Sequence, residues 1–289
     1  MRSPVASVTP PPVVLVLLGI TTLQVGAAVA KTLFDEVGPT ALVWLRLAVS
    51  ALVLLALTRP RLRGLAGRDW LVVAGFGACL ATMNWAIYQS FARIPLGIAV
   101  TIEFVGPLTV ALLGSRRARD LVWAGLAALG VVLLGAERAD LDLVGVLLAA
   151  LAGLMWAGYI LLSGAVGRRL EGLDGLALAS GVAALLLAPA LLVADSAGLA
   201  DPRVLLLGAL VALLSSVVPY SCELVALRTM SPAVFGILMS LEPAAAALAG
   251  IAVVGETLQP LQWLAVACVV VASVGATRRA AAVVAPVPD

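Results

Sequence analysis

Apolar residues run along this chain in long unbroken stretches, and short polar tracts interrupt them at near-regular intervals. Stretches of ~20 residues match the length an α-helix needs to cross a hydrocarbon core, whereas the strands of a membrane barrel would alternate over about ten. Ten segments are predicted, over residues 12–33, 39–58, 70–91, 96–114, 119–136, 143–165, 174–194, 203–227, 232–254 and 259–277. The expected fold is an all-α integral membrane protein with short tails at 1–11 and 278–289.

The pattern also repeats. Pro107, which closes Glu103-Phe104-Val105-Gly106-Pro107, returns ~136 residues later as Pro243 in Ser240-Leu241-Glu242-Pro243. The tract Val37-Gly38-Pro39-Thr40-Ala41-Leu42 returns at the same offset as Leu173-Asp174-Gly175-Leu176-Ala177-Leu178. Two five-helix repeats are expected, 12–136 and 143–277. An odd number of crossings sends the copies through the membrane in opposite senses. That is the inverted-repeat plan of secondary transporters, whose substrate site lies between the halves near the midplane.

A composition of 63% hydrophobic and 12% charged residues, with mean hydropathy +1.14, excludes a soluble domain of this length. The net charge of +2 gives no reason to expect a nucleic-acid partner. Cys79, Cys222 and Cys268 fall inside apolar segments and read as small buried hydrophobes, not as a disulfide framework. Histidine is absent, which removes the commonest metal ligand and the usual general base. No metal, cofactor or enzymatic activity is expected; an intramembrane enzyme would need clustered titratable groups. Arg2, the apolar run 13–18 and Ala28-Val29-Ala30 imitate a secretory signal. Cleavage there would remove one helix and break the repeat, so this stretch is read as the first transmembrane helix.

Arginine placement predicts the topology. With the N-terminus inside, the inner side carries Arg2, Arg59, Arg61, Arg63, Arg68, Arg116, Arg117, Arg119, Arg168, Arg169, Arg228, Arg278 and Arg279. The outer loops carry only Arg93, Arg138 and Arg203. This positive-inside bias puts both termini in the cytoplasm. Gly75 with Gly77, Gly125 with Gly130, and Ala246 with Gly250 suggest close helix packing through small residues.

Five ionisable residues lie inside apolar segments: Lys31, Arg46, Glu103, Glu223 and Glu242. Each costs roughly 2.5–3.5 kcal/mol at a helix centre and needs a partner or a watery cavity. Glu103 and Glu242 fall near the middle of equivalent helices, beside Pro107 and Pro243, which should kink them. A carboxylate at a kink suits a substrate ammonium group or a coupling proton; a structural ion pair of Glu103 with Arg46 is the plainer alternative. Gln24, Asn84 with Tyr88, Trp156 with Tyr159, and Tyr220 with Glu223 share helix faces that should point inward. For Trp156 and Tyr159, packing or an interfacial belt is an equal reading. Lys31 reads as an anchor at the outer surface, and Gly255-Glu256 with Gln259-Pro260 as a helix stop and restart in an outer loop.

These residues also carry a resemblance. The chain from about Val13 to Thr277 resembles the drug/metabolite transporter superfamily with two EamA repeats, and within it the bacterial threonine and homoserine exporter branch. The resemblance rests on Gln24-Val25-Gly26-Ala27, Ala30-Lys31-Thr32-Leu33-Phe34 and Leu45-Arg46-Leu47-Ala48. It continues through Ile94-Pro95-Leu96-Gly97-Ile98-Ala99-Val100, Glu103-Phe104 and Gly106-Pro107-Leu108. Pro219-Tyr220-Ser221, Phe235-Gly236, Leu238-Met239-Ser240, Glu242-Pro243 and Gly255-Glu256-Thr257-Leu258 complete it. The resemblance implies a ten-helix inner-membrane carrier that exports small amino acids in exchange for protons. On that reading Gln24, Arg46, Asn84, Tyr88, Glu103, Trp156, Tyr159, Tyr220 and Glu242 bind substrate, and Glu103 and Glu242 couple protons. Lys31, Pro107, Glu223 and Pro243 serve structure or gating. A carrier of another amino acid, amine or drug is the rival. The first repeat departs from the second where Glu256 stands: its loop reads Ser115-Arg116-Arg117-Ala118-Arg119-Asp120.

Overall fold

The computed structural model describes residues 10–60, 65–113, 121–136, 141–170, 173–227, 230 and 232–284. Ten helical segments follow in order. They are α1 (Pro12–Thr32), α2 (Pro39–Thr58), α3 (Gly67–Phe91), α4 (Leu96–Glu103 continued by Val105–Leu113) and α5 (Leu121–Ala136). The second five are α6 (Leu143–Gly167), α7 (Asp174–Leu187), α8 (Pro202–Ala212 continued to Leu227), α9 (Pro232–Met239 continued by Glu242–Ala249 and Gly250–Val254) and α10 (Pro260–Val284). Seven of these are long and apolar enough to cross a membrane, and the described parts of α4, α5 and α10 are shorter apolar helices. Leu52, Leu71, Leu161 and Leu185 are exposed on the outside of the bundle, where a spanning protein meets lipid. The chain is a multi-pass membrane protein.

Proline and aspartate set several helix starts. Pro12, Pro39 and Pro202 occupy first-turn positions, where a missing N–H costs nothing. The Asp142 carboxylate accepts from the Val144 and Gly145 amides at 2.7 and 3.2 Å, and Asp201 accepts from Arg203 at 2.8 Å. The prediction for the seventh segment ran too far: α7 ends at Leu187 and a 3₁₀ turn, Ala188–Leu192, follows. Pro189 has no amide hydrogen to continue the α-helical ladder.

Most packing between the first five helices and the second five comes in pairs that exchange of the two sets interconverts. α1 packs on α8 as α6 packs on α3; α2 on α8 as α7 on α3; α1 on α9 as α6 on α4. The pairs α2–α7, α4–α9 and α5–α10 map onto themselves. Among the described residues, the packing of α4 on α10 has no such counterpart between α9 and α5. Close packing uses some of the small residues singled out above. A Cβ on Gly77 would lie 2.7 Å from Val182, and one on Gly130 3.0 Å from the Ala265 carbonyl. Gly125 has nothing within reach and Gly75 almost nothing, so those two are not packing sites among the described residues.

We call distal the end holding the α1–α2, α3–α4, α7–α8 and α9–α10 connections, and proximal the opposite end. Leu33, Val37, Phe91, Ile94, Leu96 and Ile98 are all buried at the distal end. Among the described residues, three ion pairs there join the first five helices to the second five: Lys31–Glu256 at 2.7 Å, Arg203–Glu36 at 2.9 Å and Arg93–Asp142 at 3.8 Å. Among the described residues one pair, Arg169–Asp69 at 3.1 Å, joins the halves at the proximal end.

Candidate functional site

Pro107, Pro219 and Pro243 each lie inside an apolar helical span and act on the carbonyl four residues before. Pro107 cannot donate to Glu103, and α4 breaks at Phe104. The freed Glu103 carbonyl lies against Gly153 of α6, 2.6 Å from where a Cβ would stand. Pro243 cannot donate to Met239, and α9 breaks at Ser240 and Leu241. There the Ser240 hydroxyl donates to the Gly236 carbonyl at 2.9 Å and pairs with the Ser273 hydroxyl of α10 at 2.7 Å. Pro219 cannot donate to Ser215, and α8 widens into a π-turn over Leu213–Val217. The helices thus break near Pro107 and Pro243, next to the freed carbonyls.

Between these breaks lies a cavity of about 460 Å³, within the range of small-molecule sites. Its lining runs from Ala27 and Phe91, on the distal halves of α1 and α3, to Glu223 and Phe235 toward the proximal ends of α8 and α9. Among the predicted residues, Gln24, Arg46, Asn84, Tyr88, Glu103, Pro107, Trp156, Tyr159, Glu223 and Glu242 all line it. Pro243 is buried beside it at the start of the second part of α9. The side chain of Tyr220 lies outside the described residues. Lys31 is not part of the lining.

Among the described residues, Arg46 is the only cation in that lining. Its Nη2 donates to the Ser215 carbonyl at 3.2 Å, the one freed by Pro219. Its Nη1 donates to the Tyr88 hydroxyl at 3.4 Å, with the guanidinium carbon 5.5 Å from the ring centroid. Its Nε is buried without a partner. Arg46 and Glu103 are not in ion-pair contact among the described residues, but they lie close enough to interact electrostatically. The pull of Pro219 on the α8 backbone supplies the arginine with a main-chain acceptor instead. The Asn84 amide donates one of its two N–H groups to the Leu80 carbonyl of its own helix at 2.8 Å.

Glu103 and Glu242 are buried at the facing breaks of α4 and α9. Glu242 lies close enough to Glu103 and Glu223 to interact electrostatically with both. The aromatic wall is packed into place. Trp156 meets Phe104 edge-to-face at 5.6 Å, and Tyr159 stacks on Phe76 at 4.6 Å. Sequence reasoning missed Ser215, Phe104, Met83, Met239 and Ser273, which also line the cavity. For Ser215 a signal existed: a serine pair four residues before a proline in an apolar run is where a backbone carbonyl is set free.

Residues 143–278 match the EamA-like transporter family. Over 92% of its length the chain is 41% identical to the threonine/homoserine exporter RhtA of Escherichia coli K12, covering 91% of that protein. The chain belongs to the EamA-like transporter family. RhtA of Salmonella typhimurium LT2 is 40% identical over the same shares. An uncharacterized transporter of Bacillus subtilis, YwfM, is 29% identical over 68% of this chain and 70% of its own. A solved crystal structure superposes with a TM-score of 0.64 over 94% of this chain and 99% of that one, at 20% identity, which speaks to the fold. Membership of this family makes the protein a membrane transporter and not an enzyme.

Proposed function

We propose that this EamA-family transporter exports small amino acids of the threonine and homoserine kind, by alternating access and in exchange for protons. The observation that carries the reading is the charge layout of the cavity. One arginine stands on α2, and carboxylates stand on the α4 and α9 breaks, all lining one space between the halves. A zwitterion is the complement of that layout: its carboxylate meets Arg46, and its ammonium meets Glu103 or Glu242. The neutral donors and acceptors of Gln24 and Tyr88 then select a small polar side chain, with Asn84 offering its carbonyl oxygen. Tyr220 is assigned there on its sequence position. Trp156 and Tyr159 bound the space. The carboxylate that does not hold the ammonium exchanges the proton, and Glu223, nearer the proximal mouth, serves gating. Similarity to the threonine/homoserine exporters favours this substrate class over a bulky anion, which would want several cavity arginines.

In this reading the units 12–136 and 143–277 rock against each other about the cavity, and Pro107 and Pro243 supply the bends. The arginine bias assigns the proximal end to the cytoplasm, so that both termini are cytoplasmic in a bacterial inner membrane. The test is reconstitution in liposomes with an imposed proton gradient, following labelled threonine and homoserine with and without an uncoupler. Gradient-dependent flux in which the two compete is the expected result. A folded protein that moves neither would overturn the substrate assignment.

A further inference from the structure

Glu256, in the connection from α9 to α10, reaches across to the first half at two points. Its Oε1 pairs with Lys31 Nζ of α1 at 2.7 Å, and its Oε2 accepts from the Leu96 amide, the first of α4, at 2.9 Å. Lys31 Nζ also donates to the Ile94 carbonyl at 2.8 Å, which ties α1 to the start of α4 within the first half. The Glu256 and Lys31 side chains are 9% and 18% exposed. Local backbone builds this reach. α9 ends at Gly255 with φ of 77°, a left-handed cap that turns the chain back, and the Glu256 amide then donates to the Gly250 carbonyl at 3.1 Å. A Cβ on Gly250 would collide with the Glu256 carboxylate, so that glycine keeps its seat clear.

We infer that Lys31 and Glu256 form a latch that holds the distal end closed and must open once in every transport cycle. The inference rests on the alternating-access reading above. Separating the halves at this end breaks the ion pair and the helix cap together, since both run from Glu256 to the first half. The pair sits at the distal end of the bundle, so opening returns both charges to water. The closed state gains the ion pair and the cap; the open state regains hydration. Two near-balanced states are what a gate needs. The latch also fixes the N-terminus of the short helix Leu96–Glu103, whose last residue is the cavity carboxylate Glu103. Glu256 is therefore a positioning residue that acts on the site through α4, in contrast to the plain helix stop expected of Gly255-Glu256.

The test uses the full-length protein with Cys79, Cys222 and Cys268 replaced by alanine and one of two reporters added. Ala30→Cys is buried at the distal end of α1, and Ile160→Cys lines the proximal half of the cavity. A membrane-impermeant maleimide is applied to intact cells and to inverted vesicles. In Glu256→Gln, Ala30→Cys should react about tenfold faster while Ile160→Cys reacts more slowly, because the population moves toward the distally open state. Lys31→Met, which keeps the Leu96 cap, should act in the same direction and stands in if Glu256→Gln does not accumulate. Both reporters speeding up would mean general loosening and would overturn the latch, as would no change in either. Labelling needs no substrate, so this result is independent of whether threonine is the cargo.

Discussion

Gly106 and Gly153 meet so closely where α4 crosses α6 that a Cβ on Gly106 would overlap the Gly153 carbonyl. The contact holds the Glu103 carbonyl, freed by Pro107, against the Gly153 backbone. Gly106→Ala and Gly153→Ala should each destabilise the protein by about 1–3 kcal/mol, the usual cost of overpacking. Gly125→Ala, with open space around it, should be neutral or slightly stabilising through helix propensity. Thermal unfolding in detergent would check this, and equal behaviour of the three would refute the crossing as described.

The hold on Arg46 depends on a missing hydrogen. Pro219→Ala would supply an amide at 219 that competes for the Ser215 carbonyl, closing the π-turn and leaving Arg46 Nη2 without its acceptor. Substrate affinity should fall with little loss of folded protein. Arg46→Lys keeps the charge but loses the planar fork, and should weaken affinity by about ten- to a hundredfold. Concentration dependence of flux in liposomes measures both; an unchanged half-saturation in Arg46→Lys would remove arginine from substrate binding.

Replacing a carboxylate by its amide keeps shape and removes the exchangeable proton. If Glu242 carries the proton and Glu103 the ammonium, Glu242→Gln should abolish gradient-driven net export yet leave substrate-for-substrate exchange running. Glu103→Gln should then depress both modes through affinity. Parallel counterflow and uncoupler-sensitive efflux assays distinguish these outcomes. If both variants keep normal driven export, neither carboxylate couples protons.

The Ser240–Ser273 hydroxyl pair bridges the α9 break to α10. Ser240→Ala should cost about 1 kcal/mol of stability, the scale of one buried hydrogen bond. A larger cost in transport rate than in unfolding temperature would show that the bridge also governs movement of α9.

Most of the architecture was legible in the sequence because lipid imposes a simple rule. An uncharged run of membrane length must be a helix, and repeated runs must pack. All ten predicted segments correspond to helices, with errors confined to ends such as Pro189. The cavity lining was legible for a related reason: Gln24, Arg46, Asn84, Tyr88, Glu103 and Glu242 are too polar to face lipid. Two things were not. The Lys31–Glu256 contact joins residues near opposite ends of the chain; each stands out singly, as an ionisable residue in an apolar segment and as part of a helix stop, but nothing in their spacing pairs them. The arginine's real acceptor is a main-chain oxygen, and side-chain chemistry gives no sign of one; it had to be sought through a proline four residues on.

That last feature bears on how this family can diverge. A side-chain partner for Arg46 would tie the identity of position 215 to position 46. A backbone partner does not: any residue small enough for the buried seat at 215 presents the same oxygen, provided the proline at 219 stays. Relatives that retain the arginine are therefore expected to vary among small residues at 215 and be fixed at 219, with the lineage's memory of the site written in an imino acid of the cavity wall.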